Sequence, residues 1–148
     1  MTFTRLIAAT FIVALAPAIC AAADFRSVGP QPAIFYDAPS HKAPKLYVAP
    51  QGMPVEVVLR YREWVKVRDF YGDAAWTEAT KLVPRRSVVV RFDGVGVHAG
   101  DDGSTQLLMV ADKGVVLELV DREISTWVKV RHKDGITGYV KAAELWGI

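Results

Sequence analysis

From Asp24 onward apolar and polar residues alternate in short runs, and nowhere in the first half of that stretch do the apolar ones recur at the spacing of a long amphipathic helix. The clearest run is Trp64-Val65-Lys66-Val67-Arg68. Its two valines fall on one side and its tryptophan, lysine and arginine on the other, which is the pattern of a half-buried strand. The same five residues return unchanged as Trp127-Val128-Lys129-Val130-Arg131, 63 positions later. Gly72 and Gly135 follow at the same remove, and four residues beyond each comes an aromatic, Trp76 or Tyr139. A period of this length around a strand-like centre means tandem copies of one small unit.

The rest of each copy is punctuated in the same way. Asp24 to Pro32 reads as a lead-in closed by Gly29-Pro30-Gln31-Pro32, and Ala33 to Tyr36 is the first extended piece. Asp37 to Pro44 has two prolines and no period, so it is expected to be a surface loop. Strands follow at Leu46–Val48, Val55–Leu59 and Trp64–Phe70, with a hairpin at Tyr71-Gly72-Asp73, a return strand at Ala75–Thr77 and one helical turn at Glu78–Leu82. In the second copy Val88 to Phe92 bridges the units or forms a strand of its own. After Val95–Val97 and an acidic loop, Gly100–Ser104, come Gln106–Val110, a stretch from Gly114 to Val120 that aligns with Gly52–Val58, the repeated pentapeptide, Gly138–Val140 and a closing turn at Ala142–Leu145. Five short strands per copy predict an all-β chain of two small closed or partly closed barrels.

Ahead of the repeats, Arg5, an apolar run from Leu6 to Ala18 and the small residues Ala21-Ala22-Ala23 have the form of a signal peptide, residues 1–23. The apolar run is shorter than the roughly 20 residues a bilayer span needs, so no membrane span is expected in the mature chain, which would be exported to the periplasm or secreted. The units are then 24–86 and 87–148. Cys20 is preceded by Pro17-Ala18-Ile19, a poor match to a lipid-attachment site, and cleavage after Ala23 leaves no cysteine for a disulfide or a thiol nucleophile.

Charge and histidine placement exclude several functions. A net charge of +2 argues against a protein that neutralises phosphates, so no nucleic acid is expected as a partner. Residues 24–86 carry ten Lys/Arg against seven Asp/Glu and residues 87–148 seven against nine, a mild dipole between the units. His41, His98 and His132 fall in or near loops and not at metal-ligand spacing. His98 with Asp101 and Asp102 comes nearest to a cation site but reads as a solvated turn, and no glycine loop suits a phosphate. The expectation is a non-catalytic chain with no metal and no cofactor.

Together, the variable loop, the Gly-x-x-Val-Glu-Val strand, the Trp-x-Lys-Val-Arg strand, the glycine turn and the strand around Trp76 or Tyr139 resemble bacterial SH3 domains. Gly52-Met53-Pro54-Val55-Glu56-Val57-Val58, Trp64 to Asp69 and the final Leu145-Trp146-Gly147-Ile148 resemble more narrowly a family of exported tandem bacterial SH3 proteins, over roughly residues 26–148. Copy one departs from that pattern at Ala75, where the family usually has glycine, at Thr77, where it usually has valine, and at Phe35-Tyr36-Asp37-Ala38-Pro39. The resemblance implies two tandem SH3-like barrels. Bacterial SH3 domains often accompany a Cys–His catalytic domain in enzymes that cut peptidoglycan, and this chain ends without room for one, so binding is the expected role.

For binding, the pentapeptide puts Trp64 on the side of Lys66 and Arg68, and Trp127 on the side of Lys129 and Arg131. An aromatic on the polar side of a strand is a candidate recognition platform, as in SH3 grooves that take extended peptides. The alternative is that each tryptophan lids its barrel and packs on the next strand. Tyr36, Tyr61, Trp64, Tyr71, Trp127 and Tyr139 are the candidate ligand-binding residues, and the aromatic-rich first copy is the expected binder. The expected partner is peptidoglycan peptide or an envelope protein; a structural or accessory subunit working through protein contacts is the other reading.

Overall fold

The computed structural model describes residues 22–84, 86–121 and 123–148. The signal-peptide segment, residues 1–23, lies outside them apart from Ala22 and Ala23, which are exposed coil. The first half holds β1 (Asp24–Val28), β2 (Ala33–Tyr36), β3 (Lys45–Ala49), β4 (Pro54–Tyr61), β5 (Trp64–Arg68), β6 (Ala74–Glu78), a 3-10 turn at Ala79–Lys81 and β7 (Leu82–Val83). The second holds β8 (Ser87–Val90), β9 (Val95–His98), β10 (Leu107–Ala111), β11 (Val116–Leu119), β12 (Trp127–Arg131), β13 (Thr137–Lys141), a 3-10 turn at Ala142–Glu144 and β14 (Leu145–Trp146). The described residues contain no helix long and apolar enough to cross a membrane.

The strands form two seven-stranded antiparallel sheets of equivalent order, β3-β2-β6-β5-β4-β1-β7 and β10-β9-β13-β12-β11-β8-β14. Each sheet curls around its own core. Val28, Phe35, Ala49, Val55, Val65 and Val67 come from strands far apart in the first order yet share one cluster. In the second, Val90, Val97, Ala111, Leu117, Val128 and Val140 do the same. The sheets are SH3-like but do not close, which corrects the expected barrels: the edge strands β3 and β7 do not pair, nor do β10 and β14.

Seven strands per sheet replace the five expected. Asp24–Pro32, read as a lead-in, begins with β1, which pairs with β4 and β7 in mid-sheet. Val88–Val90 is likewise the first full strand of the second sheet and not a bridge, and all four residues of β8 are buried. The repeat itself extends to these strands. The N–H of Val28 donates to the carbonyl of Met53 and its carbonyl accepts from Gly52, while Val90 makes the same pair with Val115 and Gly114. Where the halves meet, the Ser87 N–H donates to Ser27 Oγ at 2.9 Å, so two buried polar residues satisfy one another.

Candidate functional site on the outer aromatic faces

The alternation read from the pentapeptide holds. Val65 and Val67 are 1% exposed within the core, and Trp64, Lys66 and Arg68 lie on the outer side of the sheet. Register then brings further outer residues together. Trp64 stands opposite Glu78, Lys66 opposite Trp76, and Trp76 opposite Tyr36. Trp64 is nevertheless not in water with Lys66 and Arg68, as its place on the polar side implied.

The cover comes from the loop of residues 37–44. Its ends are tied by Asp37 N–H donating to the Pro44 carbonyl at 3.0 Å, and its tip carries His41 over the face. The imidazole lies 4.9 Å from the Trp64 ring at 61°, and its Nε2 is 3.0 Å from Glu78 Oε1. Tyr36 meets Trp64 edge to face at 5.4 Å and 87°. Trp64 is left 3% exposed and Tyr36 5%. Two of the candidate binding residues are thus packed against each other under a loop. Tyr61 sits across the hairpin from Trp64, 47% exposed, with the Arg62 guanidinium 5.4 Å from its ring centre. Tyr71 is 75% exposed in the β5–β6 turn, edge to face with Phe70, and belongs with the contact to the second repeat.

The second face is built alike and covered less. Trp127 stands opposite Lys141, and Tyr139 opposite Lys129 and His98. His98 takes the place of Tyr36, edge to face with Trp127 at 5.6 Å and 85°. No histidine of the following loop caps the indole. Gly103 lies there instead, and a Cβ on it would stand 3.9 Å from the ring. Trp127 and Tyr139 therefore stay half-buried and line a cleft of about 430 Å³ with Asp101, Asp121, Glu123 and Ser125. The Lys141 ammonium lies 5.6 Å from the Trp127 ring centre and Lys129 5.8 Å from that of Tyr139, so the cleft has carboxylates on its walls and ammonium groups against its rings.

Of the six candidate residues, the structure brings Trp127 and Tyr139 together at an open cleft, stacks Tyr36 with Trp64 beside Tyr61, and leaves Tyr71 elsewhere. Sequence reading missed His41 and the acidic wall at Asp121 and Glu123. The clue to His41 was its lone place at the tip of a loop pinned by two prolines. The first copy, the expected binder for its aromatic content, has its Trp64 and Tyr36 rings covered by that loop, while Trp127 and Tyr139 of the second copy stay half-buried. His98 Nδ1 lies 3.2 Å from the Thr105 carbonyl. Asp102 is engaged by the backbone N–H and hydroxyl of Ser104, which hold its carboxyl below the usual range. Among the described residues no group of histidine and carboxylate side chains is placed to hold a metal.

Comparison with known families matches this chain to the bacterial SH3 domain twice, over residues 29–83 and 95–147. The chain belongs to that family, as a tandem bacterial SH3 protein. Domains of this kind are commonly cell-wall binding modules, generally non-catalytic, and occur in extracytoplasmic proteins. No curated protein matches the chain. Among solved structures it is similar to NlpC2 from Trichomonas vaginalis, at 8% identity and a TM-score of 0.39, with 84% of this chain and 48% of that one covered. It is also similar to NlpC1 from the same organism, at 10% identity and a TM-score of 0.39, covering 84% and 45%. The chain spans about half the length of those structures.

Proposed function

We propose that this protein is a non-catalytic binding module of the cell envelope, with units 24–86 and 87–148 behind an export signal, that recognises cell-wall peptide or an extended protein segment through its aromatic faces. The observation that carries the reading is the cleft in which Trp127 and Tyr139 remain half-buried beside Asp101, Asp121 and Glu123. Flat rings offer a peptide backbone a large contact at low entropic cost, and the carboxylates favour a segment bearing an amino group. Lys129 and Lys141 already neutralise part of that field, so peptide contact, not charge alone, has to supply the affinity. The test is retention of the purified protein on isolated peptidoglycan. Wild type should sediment with it, and Trp127→Ala, shown folded by circular dichroism, should stay in the supernatant. A folded wild type that stays in solution would remove wall peptide as the ligand.

One observation favours the accessory-subunit reading. The edge strands β3 and β10 expose the same pair in each repeat, Leu46 with Val48 and Leu108 with Val110. Unpaired edges with apolar side chains suit strand addition by a protein partner. Under that reading Leu46→Lys with Leu108→Lys abolishes partner capture, while Trp127→Ala leaves it intact.

A further inference from the structure

The contact between the two repeats is reciprocal in form, and its two sides are filled differently. The repeats correspond at an offset of 62 residues from Val28/Val90 through Gly52/Gly114, and of 63 from Trp64/Trp127 onward. On one side Phe25 and Phe70 of the first repeat meet Trp146 of the second edge to face, at 5.0 Å and 5.9 Å. Beside them Tyr71 reaches across, its hydroxyl 3.4 Å from where a Cβ on Gly114 would stand. These rings plug that side.

On the other side the corresponding positions are Ser87 for Phe25, Lys133 for Phe70, Val83 for Trp146 and Gly52 for Gly114. A hydroxyl, a flexible ammonium and a small aliphatic group stand in place of three rings. There the structure has a cleft of about 640 Å³, and all four of these residues line it. The open volume is the space the aromatic plug fills on the opposite side. Its size is that of a small-ligand site, and junctions between units are where such sites commonly lie.

The lining indicates the chemistry. Val28, Val83 and Val116 give it an apolar surface, and the buried Ser27 and Ser87 line it as well. Arg131 and Lys133, from the end of β12 and the turn beyond it, bring two cationic side chains to its wall, with Glu118 opposite Arg131 in the sheet and His132 beside them, its Nδ1 3.2 Å from Asp134 Oδ2. We infer that this inter-repeat cleft binds an apolar carboxylate, the C-terminal residue of a peptide, with its side chain on the valines where the opposite side seats aromatic rings. Its free carboxylate meets Lys133 and Arg131. This site is separate from the outer aromatic faces and stands whether or not they bind wall peptide.

The test uses N-acetyl-alanyl-phenylalanine, its C-terminal amide and 3-phenylpropionate, each titrated into the isotope-labelled protein and followed by amide NMR. The peptide acid should shift the amides of Gly29, Gly52, Ser87 and Gly135, and the amide form should bind about tenfold more weakly, as expected for loss of one charge-assisted contact. Equal binding of 3-phenylpropionate supports the site and assigns it to free apolar acids. Lys133→Gln keeps the space and should weaken the acid about tenfold. Lys133→Phe places in the cleft the ring that Phe70 supplies opposite, and should abolish binding without lowering the thermal midpoint. Absence of shifts at millimolar acid, equal binding of acid and amide, or full binding by Lys133→Phe would overturn the inference.

Discussion

Two tryptophans in identical pentapeptides should differ in what they contribute to stability. Trp64 is 3% exposed, packed by Tyr36 at 5.4 Å and by His41 at 4.9 Å, and truncating a large ring so enclosed costs about 3–5 kcal/mol. Trp127 is half-buried beside an open cleft, so its truncation forfeits roughly half as much contact, about 1.5–2.5 kcal/mol, including its exposed ammonium–ring contact with Lys141. For a unit of roughly 60 residues, a loss of about 3 kcal/mol lowers the melting temperature by about 12–24 °C. Urea denaturation followed by far-ultraviolet circular dichroism, for Trp64→Ala and Trp127→Ala beside wild type, measures the difference. Equal losses for the two, or a cost below about 1 kcal/mol for Trp64→Ala, would mean that the loop cap does not enclose the first ring, and the argument from burial would fail.

Three further expectations follow from single positions. A Cβ on Gly138 would stand 2.5 Å from the His98 carbonyl oxygen and 2.7 Å from Val97 Cγ1, so Gly138→Ala must push β13 off β9 at about 1–3 kcal/mol, seen as a lower thermal midpoint. Ala75, its counterpart in the first repeat, already buries that carbon, and Ala75→Gly should cost about 1 kcal/mol or less. Tyr47 donates to Asp69 at 3.3 Å, and burial, then the charge and hydrogen bond of Asp69 and the charge of Asp73, raise its phenol above the ordinary value near 10. Its folded form holds the proton more tightly than the unfolded chain. That stability is therefore fully present below about pH 10 and is lost as pH rises beyond it. Tyr47→Phe should cost about 1 kcal/mol at neutral pH and show a shallower decline in urea midpoint between pH 8 and 11.

Much of the fold was legible in local pattern. Val65 and Val67, and Val128 and Val130, had to point one way because strand side chains alternate, and the verbatim repeat required whatever one copy built to be built again. The turns at Gly72 and Gly135 lie where the chain needs a positive φ, 94° and 89°, which glycine adopts without strain. The first strand of each sheet was harder to see. Phe25-Arg26-Ser27-Val28 carries an arginine paired with Asp24 and a serine whose partner lies 60 residues away, so its place in mid-sheet shows only when β4 and β7 flank it.

The sites divide along the same line. The aromatic face was readable as a face because alternation is a property of neighbours in sequence. Whether its rings are open was not, because exposure depends on what folds over them. His41, 23 residues before Trp64, covers one indole, while Gly103 leaves the other half-open. The inter-repeat cleft had no local signature at all. It exists because Ser87, Lys133 and Val83 stand where Phe25, Phe70 and Trp146 stand across the junction, and only the docking of one sheet on the other brings those positions face to face. Local sequence determines which side of a strand a residue takes. Tertiary packing decides which of those sides meets water, because that depends on contacts far apart in the chain.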